Sequence, residues 1–252
     1  MTDLSAFSLA GKTILVTGAN TGIGQGIAIA AARAGGRVLG VGRSDMSETA
    51  AAIPRNQFVP FTADLSDTAA ATAMLADAWE RHGPIDGLVN NAGIIRRADA
   101  VEHSEADWDD VLQVNLKTVF FLCQSFATRV FAAQRSAHIV NVASLLSFQG
   151  GIRVAAYTAS KHGVAGVTQA LSNEWAARGI NVNAIAPGYV ESNNTTALRA
   201  DPDRSQAILA RIPAGRWGQP GDIGDVAVFL LADASRYMHG AVVPVDGGWL
   251  GR

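Results

Sequence analysis

Two periods alternate along the chain, and their order predicts the fold before any single residue does. Short apolar runs at 12–18, 37–42, 57–64, 84–93, 137–144, 180–188 and 240–248 have the length and β-branched content of buried strands. Between them, apolar residues recur at helical spacing over 22–35, 47–52, 66–83, 105–134, 155–179 and 221–233. Capping residues agree: Ser66 or Asp67 opens the third segment, and Gly35 and Gly83 stop the first and third. Seven strands interleaved with at least five helices predict an α/β fold, a single Rossmann-type, doubly wound parallel sheet of seven strands flanked by helices. Such sheets bind ligands at the carboxyl ends of their strands. No linker or repeat divides 1–252, so one domain is expected. The stretch 190–218 is long, polar and irregular, which suits a lid over a substrate.

Composition narrows the partners. Lys and Arg number 20 against 22 Asp and Glu, a net charge of −2, and the signs are mixed along the chain. No nucleic-acid surface is expected from that balance, and no apolar stretch is long enough to imply a membrane partner. Cys123, the one cysteine, lies in the apolar run VFFLCQSF and reads as a buried, inert thiol in a reducing compartment. The start of the chain lacks a basic region followed by an apolar core, so a cytoplasmic location is expected. The 5 histidines are scattered without zinc-like spacing, and no metal site is expected.

Candidate chemistry begins at the first turn, TGANTGIGQG, with Gly18, Gly22 and Gly24 between a strand and a helix. A glycine turn in that place presents backbone N–H groups and a helix terminus to a pyrophosphate. The second strand ends at Gly42 and Arg43, where a ribose-binding acid usually stands. An arginine fork there fits a 2′-phosphate, with Asp45 as a competitor. Asp64, after the third strand, is open to two readings: a partner for the adenine amino group or the cap of its own loop. Tyr157 and Lys161 are one helical turn apart, and a neighbouring cation favours the ionised phenol. Ser144, just past the fifth strand, can hydrogen-bond the same substrate oxygen as Tyr157.

From about Ala10 to Gly248 these motifs, in order, resemble the short-chain dehydrogenases/reductases: TGANTGIG at 17–24, NNAG at 90–93, YTASK at 157–161, and Pro187–Gly188. The resemblance implies a nicotinamide cofactor, NAD(P), and Arg43 favours NADP. It implies catalytic Asn115, Ser144, Tyr157 and Lys161. Tyr157 exchanges the proton, Lys161 lowers its pKa and holds the nicotinamide ribose, Ser144 orients the substrate oxygen, and Asn115 holds a proton-relaying water. Cofactor contacts are implied for Gly18, Asn20, Thr21, Gly22, Ile23, Gly24, Arg43, Asp64 and Leu65. The same is implied for Asn90, Asn91, Ala92, Gly93, Ile185, Pro187, Gly188, Val190 and Ser192, besides Tyr157 and Lys161. A homotetramer is likewise implied.

Further segments, among them NNAGIIRR, LSFQGGIRV, NVNAIAPGY and RIPAGRWG, resemble the branch of that family acting as 2-dehydro-3-deoxy-D-gluconate 5-dehydrogenases. A sugar-acid substrate is the implied small-molecule partner. Its carboxylate asks for a guanidinium, with Arg97 and Arg153 nearest the chemistry in sequence and Arg199, Arg204, Arg211 and Arg216 as other candidates. Leu146, Gln149 and Asn194 are further candidate substrate contacts. Gluconate 5-dehydrogenase or another polyol specificity would use the same catalytic residues. A non-catalytic nucleotide-binding regulator is the alternative of another class, opposed by the joint presence of Asn115, Ser144, Tyr157 and Lys161.

Overall fold

A computed structural model describes residues 4–252. Seven strands, β1 (Thr13–Thr17), β2 (Arg37–Gly42), β3 (Phe58–Thr62), β4 (Gly87–Asn90), β5 (Ala137–Val142), β6 (Ile180–Pro187) and β7 (Val242–Val245), form one sheet. Its order is β3-β2-β1-β4-β5-β6-β7, and every neighbouring pair is parallel. The order reverses between β1 and β4, so the crevice for a ligand opens at the carboxyl ends of those two strands.

Successive strand residues point to opposite faces, and each face has its own core. Ile14, Val16, Val38, Val89 and Val140 pack against α1 (Gly22–Arg33) and α9 (Pro220–Leu231). Leu15, Leu39, Leu88 and Ile139 pack on the other side. There they meet α3 (Thr68–His82), α5 (Thr118–Ala132) and α6 (Ala155–Trp175). A short α2 (Ser47–Ala51) and α4 (Glu105–Leu112) complete the set that the sequence patterning anticipates. Cys123 is buried, and its thiol is pushed up to about 12 by burial, as an inert core group should be. Among the described residues no helix is long and apolar enough to cross a membrane.

Two segments differ from their sequence reading. The helix expected over 105–134 is interrupted by a π-helical turn, Gln113–Lys117, between α4 and α5. The irregular stretch 190–218 contains two short helices, α7 (Thr196–Ala200) and α8 (Pro202–Leu209), neither with a buried residue. The ends of that excursion are tied together: Val190 and Gly218 form an isolated bridge, and the Gly218 N–H donates to the Tyr189 carbonyl at 2.8 Å.

Candidate active site

The glycine turn is shaped by close approach. Gly18 has φ +68°, and a Cβ on Gly24 would lie 2.1 Å from the Gly18 carbonyl oxygen, so the first turn of α1 sits directly on the end of β1. Thr21 begins α1 without a side-chain cap, and no acid stands in the first turn. The N–H groups there are left for an outside acceptor. Contrast α3, where Asp67 accepts from Ala69 and Ala70, and α4, where Ser104 accepts from Asp107.

The NNAG segment is lashed to the same strand end. Thr17 Oγ1 donates to the Val89 carbonyl and accepts from the Asn91 and Ala92 N–H groups at 2.9 and 3.1 Å. The Asn91 amide donates to the Thr17 carbonyl at 2.9 Å. Asn90 points the other way, into the sheet, donating to Asn141 at 2.9 Å; it does not border the cleft. The π turn aims Asn115 back at this loop: its amide spans the Ile94 backbone, accepting from the N–H at 2.8 Å and donating to the carbonyl at 2.9 Å. It also donates to the Oγ of Ser160, the residue directly before Lys161, at 3.2 Å. Asn115 is fully buried and is absent from the cleft wall, and these three bonds tie the π turn to the 93–95 loop and to α6.

A cleft of about 630 Å³ runs from Arg43 and Ser44 at one end to Ser144, Tyr157 and Lys161 at the other. At the first end Asn20 Nδ2 donates to Ser44 Oγ at 2.7 Å. The competing Asp45 is drawn into a turn with Ser47, whose N–H and hydroxyl both donate to it. Those two hydrogen bonds hold its carboxyl below the usual range. Asp64 takes the loop-cap reading, accepting from the Ser66 N–H at 3.0 Å and hydroxyl at 2.9 Å, though it stays on the cleft wall.

At the other end Ser144 Oγ accepts from the Leu146 N–H at 3.1 Å, and its side chain lies near enough to Tyr157 to act on the phenol's pKa. Lys161 is buried, its ammonium donating to the Val142 carbonyl at 2.6 Å and lying 5.5 Å from the Tyr157 ring centroid. Burial pushes that ammonium down to about 8. Tyr157 moves opposite to the sequence expectation. Burial raises its phenol above the ordinary value, outweighing the Ser144 hydroxyl and the charge of Arg97, which both lower it. The cause is burial of the phenol, and the cation that acts against it is Arg97, while the Lys161 ammonium points one of its N–H groups at the Val142 carbonyl.

A family model described as Enoyl-(Acyl carrier protein) reductase matches residues 18–250. The chain belongs to the short-chain dehydrogenase/reductase family. It is 52% identical over 251 residues to 2-dehydro-3-deoxy-D-gluconate 5-dehydrogenase of Dickeya dadantii (strain 3937), covering 99% of each. The enzyme of the same name from Escherichia coli (strain K12) is 53% identical over 251 residues, again covering 99% of each. Among solved structures, a provisionally assigned 2-deoxy-D-gluconate 3-dehydrogenase from Agrobacterium tumefaciens, with bound NADP, superposes with a TM-score of 0.93. It is 57% identical, over 98% of this chain and 99% of that one.

Within that family frame, most of the residues expected to meet the cofactor or carry the chemistry do line the cleft. They include Gly18, Asn20, Thr21, Gly22, Ile23, Arg43, Asp64, Leu65, Asn91, Ala92, Gly93, Pro187, Gly188, Val190 and Ser192, with Ser144, Tyr157 and Lys161. Gly24 does not; it is buried behind the turn as a packing contact. Of the substrate candidates, Asn194 lines the cleft, whereas Leu146, Gln149, Arg97 and Arg153 are absent from its wall. Arg97 crosses its mouth instead, donating to the Asn194 carbonyl at 2.9 Å. Arg153 is exposed, in the left-handed region at φ 63°, with its Nε 3.0 Å from Asp99. Sequence reasoning missed Ser44 and Arg96 on the wall; each directly adjoins a residue it did single out, Arg43 and Arg97. Arg96 is held by Asp107 at 3.2 Å and Asp110 at 3.4 Å.

Proposed function

We propose that this enzyme interconverts a secondary hydroxyl and a ketone on a sugar acid, 2-dehydro-3-deoxy-D-gluconate and its 5-keto form, preferring NADP(H). The observation that carries the reading is that Ser144, Tyr157 and buried Lys161 share the wall of one cleft that also takes in Arg43. The sugar acid is supported by the names of the relatives that match full length. The glycine cradle and the open N-terminus of α1 fit a dinucleotide pyrophosphate, and Arg43, Ser44 and Asn20 fit a 2′-phosphate.

A nicotinamide dinucleotide, when bound, supplies or takes up the hydride. Tyr157 delivers its phenolic proton to the substrate oxygen in reduction and recovers it in oxidation. Its raised pKa keeps that proton in place at neutral pH until it is needed. Ser144 donates to the same oxygen as negative charge develops there, a contact strongest in the transition state. Lys161, close to its own titration at about 8, passes a proton on at little cost. Asn115 sets the 93–95 loop against α6. Residues 190–218 act as the lid, and Arg97 bridges to it at Asn194.

Assembly is proposed as a homotetramer. Two apolar surfaces support it: a groove of about 770 Å³ lined by Leu112, Leu116, Phe120, Phe121 and Val167, and the half-exposed edge strand β7.

The test follows nicotinamide absorbance across a panel of 3-deoxy keto acids, aldonates and neutral polyols. Turnover of 2-dehydro-3-deoxy-D-gluconate is expected to exceed the others, and Tyr157→Phe to lower kcat by about 100-fold or more. Arg43→Ala is expected to lower kcat/KM with NADPH by about tenfold and leave the NADH value within about twofold. Unchanged turnover in Tyr157→Phe defeats the catalytic reading; an intact NADPH value defeats the cofactor preference.

A further inference from the structure

An aromatic cluster lies on the opposite side of Tyr189 from the cofactor cleft. Gly188 and Val190 line the cleft, while Tyr189 between them packs with Leu145, Ile212 and Trp249. Its ring is 5.6 Å from that of Trp217 and 4.7 Å from that of Trp249. Leu145 follows Ser144 directly, so the cluster adjoins the reacting end of the site. Over it lie the second lid helix and its exit. The Arg211 guanidinium stacks 3.9 Å from the Trp249 ring, and the charges of Arg211 and Arg204 both reach the Tyr189 phenol.

What distinguishes this cluster is its hydrogen-bond inventory. The Trp249 indole N–H is buried, on a side chain only 5% exposed, and has no partner. Arg204 and Arg211 meet no carboxylate among the described residues, a trait they share with other arginines such as Arg37 and Arg129, but here both lie beside the unpartnered indole's cluster. Asp246, in the turn leading to Trp249, spends its carboxylate on the Gly248 and Leu250 N–H groups at 2.8 and 2.9 Å. The cluster thus offers an indole N–H, a phenol and two guanidiniums without an anionic acceptor. A buried donor left unpaired costs free energy, and a carboxylate can accept from several donors at once.

We infer that Tyr189, Arg204, Arg211 and Trp249 form the subsite for the substrate's carboxylate, with the two arginines carried onto it by the lid. This rests on the sugar-acid reading above and assigns the anion to residues other than Arg97 and Arg153. Tyr189 and the arginines here are specificity residues: they hold the end of the substrate remote from the oxygen that Tyr157 protonates. Anchoring at the remote end orients the reacting carbon, and the lid then closes only over an acid.

The test uses the full chain with NADP(H). Arg211→Gln and the double variant Arg204→Gln/Arg211→Gln are expected to raise KM for the sugar acid about tenfold and about 100-fold, with kcat within about threefold. Tyr189→Phe should give a smaller KM rise, and Arg55→Gln, an exposed arginine far from the lid, none. As an independent readout, D-gluconate is titrated against tryptophan emission, with D-glucitol at matched ionic strength as the uncharged comparison. Gluconate should bind more tightly than glucitol to the parent enzyme, and the double variant should bind both alike. The subsite is overturned if gluconate has no advantage in the parent, if the double variant keeps that advantage, or if KM rises equally for neutral polyols. Should no sugar acid turn over while the gluconate advantage is present and lost in the double variant, the reaction assignment fails and the anion subsite stands.

Discussion

Lys161 shows how far a single residue's chemistry departs from what its type suggests. Its ammonium is buried and pushed from an ordinary 10.5 to about 8, because the protein replaces its hydration with one carbonyl, that of Val142. The folded pKa lies below the unfolded one, so the unfolded chain binds more protons between about 8 and 10.5. Stability therefore carries a full penalty below pH 8, recovers as pH rises through that window, and carries none above it. A shift of this size corresponds to on the order of 3 kcal/mol. Lys161→Met is thus expected to abolish turnover while raising the Tm of the cofactor-free protein at pH 7 by several degrees. The gain should shrink as pH approaches 10; melting curves at pH 7 and 10 check it, and an equal gain at both would refute the burial argument. The catalytic group was legible in sequence because Tyr157 and Lys161 share one helix and Ser144 ends a strand. The arginines were not. Whether a guanidinium meets Asp99, as Arg153 does, or an indole face, as Arg211 does, is decided by contacts far apart in the chain. The phenol's direction differs from the sequence expectation because spacing puts Lys161 near Tyr157 but says nothing of how deeply the phenol is buried.

At the scale of elements, periodicity found every strand and the long helices, since burial on both faces makes each strand a continuous apolar run. It could not find the π turn at Gln113–Lys117, because one added residue barely disturbs an apolar stripe that continues on both sides. Nor could it find α7 and α8, which have no fully buried residue and only Ile208 and Leu209 packed on the body, too short an apolar stripe to read. Elements held by so few packed side chains open readily. Hydrogen exchange is expected to be fastest across 193–212 in the free enzyme and slowest in α1, α9 and the central strands. Adding NADP together with the sugar acid should slow exchange at 193–212 by at least about tenfold if the lid closes. Unaltered exchange there would remove the lid from the account.

For the molecule as a whole, alternation of strand and helix gave the parallel, two-faced sheet, and the rule for open sheets placed the cleft at the strands' carboxyl ends. Strand order follows from crossover handedness and is invisible to local pattern. Subunit contacts are less legible still, since an apolar residue such as Phe120 or Phe121 reads alike whether it faces its own core or another copy. The groove beside those phenylalanines and the open edge of β7 lead us to expect a mass four times that of the chain by light scattering at micromolar concentration. Charge placed in the groove by Phe121→Asp should break the assembly, and a monomeric mass for the parent protein would contradict it. The bridge between Val190 and Gly218 has a consequence at this scale as well. Beyond that bridge the excursion meets the body only through turns and loops, as in Arg97 to the Asn194 carbonyl and the Ala214 N–H to the Gly247 carbonyl, so residues 191–217 can change in composition without shifting any strand register. They behave as an exchangeable cassette. Grafting this stretch between relatives should therefore transfer substrate choice while the proton-handling residues stay in place, and a lineage can explore new acids without rebuilding the enzyme beneath them.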